Sequence, residues 1–122
     1  MRTGSSGMNI DLNNIEIFIK PGATDMRKQI RSLAIYIADT MNRDPLTGSL
    51  YIFCGKNRKL IKALYWDRNG FCMWQKRLET DKFPWPGEEG EARNINAEEL
   101  GMILEGIDFF KAHKKLFFSS VS

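Results

Sequence analysis

Between Gly55 and Arg77 the chain carries seven basic side chains, Lys56, Arg58, Lys59, Lys62, Arg68, Lys76 and Arg77, with Asp67 as the one acid among them. The chemistry open to such a set is electrostatic. Ammonium and guanidinium groups neutralise phosphates, and the aromatic residues between them, Tyr65 and Trp74, offer flat faces on which bases stack. From Glu79 to Glu99 the sign reverses: Glu79, Asp81, Glu88, Glu89, Glu91, Glu98 and Glu99 stand against Lys82 and Arg93. This segregation suits a basic face that meets a polyanion, and equally suits two surfaces that attract each other within the fold. The seven cations are the expected nucleic-acid contacts, chiefly the turn Lys56–Lys59. Arg27 and Lys28 form a second possible anion site, at the start of a helix. Capping by Thr24 and the dipole role of Asp25 account for the same stretch without a ligand.

Other chemistries find little support. There is no phosphate-cradling glycine loop. The single histidine, His113, sits in a basic tail, so neither a nucleophilic triad nor a zinc site has its parts. Asp25, Asp67, Glu79, Glu105 and Asp108 are the carboxylates of interest, but the first three have local roles at a helix start, a turn and a strand end. A two-metal nuclease needs several held together on rigid elements. Cys54 and Cys72 lie on expected strands with no C-x-x-C spacing and read as reduced, buried thiols. The expectation is no catalysis, no metal and no cofactor.

Positioning the cations falls to one domain. The 122 residues are enough for a single core, and 43% hydrophobic with 27% charged residues is ordinary for a globular chain. No apolar run reaches the length of a membrane span, and MRTGSSGMN lacks the apolar centre of an export signal, which points to the cytoplasm. Residues 1–14 read as a flexible tail or cloning remnant with Met8 as a possible natural start, 15–110 as the domain, and 111–122 as a basic, aromatic tail.

Residues 15–20 alternate as a strand that Pro21-Gly22 ends. A helix is expected from Asp25 to Met41, capped by Thr24, with Met26, Ile30, Leu33, Ile37 and Met41 as its buried stripe. Leu50–Cys54, Leu60–Trp66 and Phe71–Leu78 read as three further strands. The last two flank Asp67-Arg68-Asn69-Gly70, a hairpin signal. Phe83–Pro86 is too proline-rich for a strand. Asn96 and Glu99 form a capping box for a helix from Ala97 to Glu105. The expected fold class is α+β: a small antiparallel sheet of about four strands in β-α-β-β-β-α order, with two helices packed on it.

Directly opposed residues of a hairpin share a face. A two-residue Asn69-Gly70 loop and a four-residue loop from Asp67 to Gly70 give the same partition. Leu60, Lys62, Leu64, Trp66, Phe71, Met73, Gln75 and Arg77 lie on one side; Ile61, Ala63, Tyr65, Cys72, Trp74 and Lys76 lie on the other. Neither side is polar throughout, so both need cover: the helices on one, Phe83–Trp85 or the aromatic tail on the other. Most of the aromatics then belong to the core, and the functional weight moves to the cations.

PGATDMRK (21–28), LYIF (50–53), LYWDRNGFCMWQKRLE (64–79), FPWP (83–86) and LEGID (104–108), in this order and spacing, resemble the small accessory protein of bacterial insertion sequences of family sixty-six, called TnpB or the second open reading frame. The resemblance covers about residues 15–110. It implies a non-catalytic factor for DNA transposition, encoded beside a separate transposase that supplies the DDE-type chemistry. Partners implied are that transposase and the element-end DNA, with no membrane and no small-molecule substrate. The resemblance brings no binding residues with it. Lys114–Phe118 extends past the usual end of the family, and the Gly55–Lys59 turn varies within it, which suits phosphate contacts better than base reading. The expected function is therefore an accessory factor that binds DNA, or the transposase on DNA, through the basic hairpin side. The alternative is a protein-interaction module that contacts the transposase without touching DNA.

Overall fold

The structure is a computed structural model that describes residues 11–107. Expectations about residues 1–10 and the tail from Asp108 onward, His113 included, lie outside the described residues. The middle of the sheet is made by β1 (Ile17–Ile19) and β2 (Leu50–Cys54), buried along their whole lengths. Strands covered on both faces have no use for alternating polarity, which is why IFI and LYIFC are continuous apolar runs. To them are added β3 (Leu60–Asp67), β4 (Gly70–Arg77) and β5 (Arg93–Ile95), in the order β4-β3-β2-β1-β5.

The class is α+β as expected, but the sheet is mixed and five-stranded. The β2-β3-β4 meander is antiparallel. β1 and β2 are parallel, because the chain between them crosses over through a helix, α1 (Ile30–Asp39). β5, antiparallel to β1 with Ile17 opposite Ile95, was not expected. It has three residues, two of them exposed, so it has no periodicity of its own and exists by pairing.

Alternation sends the two sides of each strand to different covers. Phe18, Tyr51, Phe53 and Leu64 face α1, where Leu33, Ala34 and Ile37 are buried and Phe71 and Met73 pack at the margin. Ile17, Ile19, Leu50, Ile52, Cys54, Ile61, Ala63 and Tyr65 face α2 (Ala97–Leu104) and the segment carrying Phe83 and Trp85. The hairpin has Trp66 opposite Phe71 and Asp67 opposite Gly70, so both faces expected from the sequence are realised. Arg68, at the hairpin tip, takes φ 55°. The capping box of α2 is present: Asn96 Oδ1 accepts from Glu99 N–H at 2.7 Å, and Glu99 Oε1 accepts from Asn96 N–H at 2.9 Å.

Two boundaries differ most. α1 begins at Ile30 with Gln29 as its N-cap, rather than at Asp25. Thr24 does not cap; its N–H donates to Cys54 O and its side chain turns inward, leaving the residue 5% exposed. Asp25 Oδ1 accepts from Arg27 N–H at 3.0 Å, which closes a tight turn. The carbonyls of Met26 and Lys28, which a helix from Asp25 would give to amides four residues on, instead accept from Lys62 Nζ at 2.8 and 2.7 Å. Residues 11–14, expected in the tail, form a turn held by the Asp11 carboxylate, with Leu12 against the core.

Candidate nucleic-acid interface

At one end of the sheet three connections meet: the 21–29 loop after β1, the 55–59 turn between β2 and β3, and the end of β4. Gly55 N–H donates to Leu60 O, Leu78 N–H to Lys59 O, and Phe83 N–H to Arg58 O, so the basic turn is fixed by backbone on three sides. Met26 approaches the turn so closely that a Cβ on Gly55 would stand 2.7 Å from Met26 Cγ, so any larger residue there displaces the Met26 side chain. Between the loop and the turn lies an open groove of about 820 Å³, lined by Thr24, Asp25, Met26, Lys56, Leu60 and Arg77 among others.

The seven expected cations do not form one patch. Lys62 is corrected most plainly: it is 3% exposed, and its ammonium is held by the two carbonyls of the 26–28 turn. Burial lowers its pKa, and the Asp25 carboxylate opposes this weakly. Lys76 is on the α2 side, where its Nζ donates to Leu104 O at 3.2 Å at the end of α2, a place that favours a cation. Arg58, at φ 64°, folds its guanidinium inward beside the Cys54 thiol, and its Nη1 is buried without a hydrogen-bond partner. Arg68 sits at the hairpin tip with Asp67 4.0 Å away. The length of β3, roughly 23 Å at about 3.3 Å per residue, separates it from the basic turn.

Three cations remain at this end of the sheet: Lys56 and Arg77 line the groove, and Lys59 is in the adjoining turn, its carbonyl bonded to Leu78 N–H. Among the described residues none of the three has a carboxylate partner. The acidic segment does not neutralise them. Its Glu89 pairs instead with Lys20, just past the end of β1, at 2.9 Å. Thr24 also lines the groove, and its Oγ1 is buried without a partner among the described residues.

The second expected site, Arg27 and Lys28, loses its basis because α1 starts after both residues. The Arg27 guanidinium grips the Asp25 carboxylate through two nitrogens, at 2.8 and 3.0 Å. That contact holds the Asp25 carboxyl well below the usual carboxylate range and raises the basicity of Arg27. Lys28 Nζ stands over the Tyr36 ring at 5.4 Å. A carboxylate lies in the groove, but it carries its own counter-ion.

Base stacking on Tyr65 is excluded, since the residue is 8% exposed and belongs to the core. Trp66 and Trp74 are half-buried, and Trp66 packs edge-on against Phe71 with ring centres 5.0 Å apart. The role of Thr24 in the groove was missed because its most economical reading was as a cap. No group of three metal-ligating side chains gathers among the described residues, and none of the described helices is long and apolar enough to cross a membrane.

Cys54 is the other buried reactive group. Burial pushes its thiol up to about 11, against the opposing effect of Arg58 beside it. In the folded protein at pH 8, Cys54 is expected to resist a thiol reagent until the chain unfolds, while half-buried Cys72 reacts first. The folded thiol holds its proton where the unfolded one has lost it. Stability from this group is therefore present below pH 9 and declines between about 9 and 11, by on the order of 3 kcal/mol at about 1.4 kcal/mol per unit. Denaturation of the protein beside a Cys54→Ala variant across that range checks the sign: the variant should lack this downward slope.

Comparison with known proteins places the chain in a family. Two relatives, both from Sinorhizobium fredii, are named uncharacterized proteins. y4hO is 38% identical over 96 residues, covering 79% of this chain and 84% of its own. y4jC is 25% identical over 101 residues, covering 83% and 86%. No solved structure matches. The family model described as IS66 Orf2 like protein matches residues 15–114, which takes in every strand and both helices described above. The chain belongs to the IS66 Orf2-like proteins, transposition-associated accessory proteins of insertion sequences.

Proposed function

We propose that the protein assists transposition by holding DNA of its element through the groove at the end of β2, β3 and β4, without itself catalysing strand transfer. It does so in the cytoplasm beside the transposase of the same element. The observation that carries this reading is the placement of Lys56, Lys59 and Arg77 at one end of the sheet, Lys56 and Arg77 exposed, and none of the three ion-paired to a carboxylate among the described residues. The backbone-braced 55–59 turn and the end of β4 hold these cations, so little ordering opposes a contact. The contacts are to phosphate rather than to base edges, which makes binding tolerant of sequence and sensitive to salt.

The test is a titration of element-end duplex by fluorescence anisotropy over a range of salt. A variant with Lys56, Lys59 and Arg77 all replaced by alanine is expected to bind more weakly. The slope of log K against log salt should be shallower by up to about 2.7, at about 0.9 for each phosphate that is no longer neutralised. Arg68→Ala, at the far tip, should leave the slope unchanged. Equal affinity and slope for the triple variant and the parent overturn the reading. So does binding of this protein to the transposase alone with no shift of DNA.

A further inference from the structure

The two edges of the sheet are unequal. β5 closes one with three residues, whereas β4, of eight residues, has no strand beside it on its outer edge among the described residues. Leu78 N–H donates to Lys59 O, one step beyond the pair Leu60↔Arg77. In an antiparallel ladder the N–H and C=O of a residue point to the same side, and the side alternates from residue to residue. Gly70, Cys72, Trp74 and Lys76 therefore direct their backbone groups to β3, while Phe71, Met73, Gln75 and Arg77 direct theirs outward. Among the described residues no backbone hydrogen bond reaches those outward groups.

Natural edges of this length are usually interrupted by proline, a bulge or a central charge. β4 has no proline and runs through eight unbroken register pairs, and Phe71 to Trp74 are half-buried apolar side chains. Its two charges are adjacent, at one end only.

We infer that β4 pairs antiparallel with β4 of a second copy of this chain, about a two-fold axis at Trp74. In that register Phe71 faces Arg77 of the copy and Met73 faces Gln75 of the copy. All four outward residues enter narrow pairs, four pairs of two bonds each, eight hydrogen bonds in all. Phe71 and Met73, which pack toward α1, meet Arg77 and Gln75 on the α1 side of the copy, so each face of the sheet stays on the same side across the seam. Charge also selects this pairing. Lys76 lies across from Cys72, and the two copies of Lys76 stand four residues apart along the strands, about 13 Å, beyond a Debye length of about 10 Å at 0.1 M salt. A parallel pairing in register would set Lys76 beside Lys76 and Arg77 beside Arg77 at the strand spacing of about 4.8 Å. Main-chain groups make this contact, those of Arg77 included, and Lys56, Lys59 and Thr24 lie off it, so it does not depend on the phosphate-binding reading.

Sedimentation velocity on the full chain over the micromolar range should show a concentration-dependent species of twice the 14.1 kDa chain mass. Gln75→Pro removes one outward N–H and no bond to β3, so it should give a monomer with an unchanged far-ultraviolet circular dichroism spectrum. A second measurement decides if that variant misfolds. In a Cys72→Ala background, a Met73→Cys copy mixed with a Gln75→Cys copy should form a disulfide on mild oxidation, and neither copy alone should do so. A parent that stays monomeric throughout overturns the inference, as does a folded Gln75→Pro that remains dimeric, or self-linking of Met73→Cys. A strand of another protein binding β4 while this chain alone is monomeric overturns it too.

Discussion

Replacing Lys62 by methionine lowers the unfolding midpoint by about 10–20 °C, from a loss of about 2–4 kcal/mol, and leaves the salt dependence of DNA binding unchanged in the protein that remains folded. Methionine keeps the unbranched stem that packs beside Leu60 and Leu64, so little cavity forms. The ammonium is what disappears, and with it two short bonds, to Met26 O and Lys28 O. Both carbonyls are then left facing a side chain with no donor. A charge-assisted bond contributes about 1.5–3 kcal/mol, and an unpaired buried carbonyl costs a similar amount. The cost of holding the charge at 3% exposure is recovered in the variant, which keeps the net loss below the sum of the two bonds. Thermal denaturation by circular dichroism gives the first number and anisotropy in rising salt gives the second. A Lys62→Met protein as stable as its parent, with a shallower salt slope, would return Lys62 to the phosphate contacts.

Truncating Trp85 to alanine is expected to cost about 3–5 kcal/mol, enough to leave a domain of this size barely folded. Trp85 is 9% exposed and fills the α2 side of the core with Phe83. Its Nε1–H donates to Lys20 O at 3.0 Å, and Gly22 N–H donates to Pro86 O at 2.9 Å, so the segment also anchors the exit from β1. Trp85→Phe separates the two contributions. It keeps most of the apolar area and loses the indole donor, and should cost about 1–2 kcal/mol, measurable by urea denaturation with an unchanged m-value. Equal costs for alanine and phenylalanine would show that the hydrogen bond, and not the packing, holds the segment.

What could be read from residues alone depended on range. β2, β3, β4 and α2 carry their own signals within a dozen residues: unbroken apolar runs, a tight polar turn, and Asn96 with Glu99 as a reciprocal cap. The structure keeps each within a residue or so. β5 could not be read that way, since Arg93-Asn94-Ile95 becomes a strand through β1, more than seventy residues earlier. The start of α1 failed for the same reason. Thr24 and Asp25 are good helix-opening residues, and the decisive competitor was Lys62, over thirty residues on, taking the carbonyls the first turn would have used. The site followed suit. Charge counting found Lys56, Lys59 and Arg77, but could not separate them from Lys62, Lys76 and Arg58, which serve the fold. That distinction lies in which way each stem runs and what the head group meets there.

The placement of β1 between β2 and β5 has a consequence for how the chain leaves the ribosome. β1 can pair with β2 once residue 54 has emerged, yet its other side stays open until residues 93–95 appear. At a translation rate of about 5–20 residues per second, that interval is roughly 2–8 s. During it, Ile17, Phe18 and Ile19 present an apolar strand with a raw edge, the kind of segment that nascent chains use to aggregate. The acidic stretch from Glu88 to Glu91 emerges just before Arg93. It brings the Glu89 partner of Lys20 into place and draws the closing strand toward the one edge where it is needed.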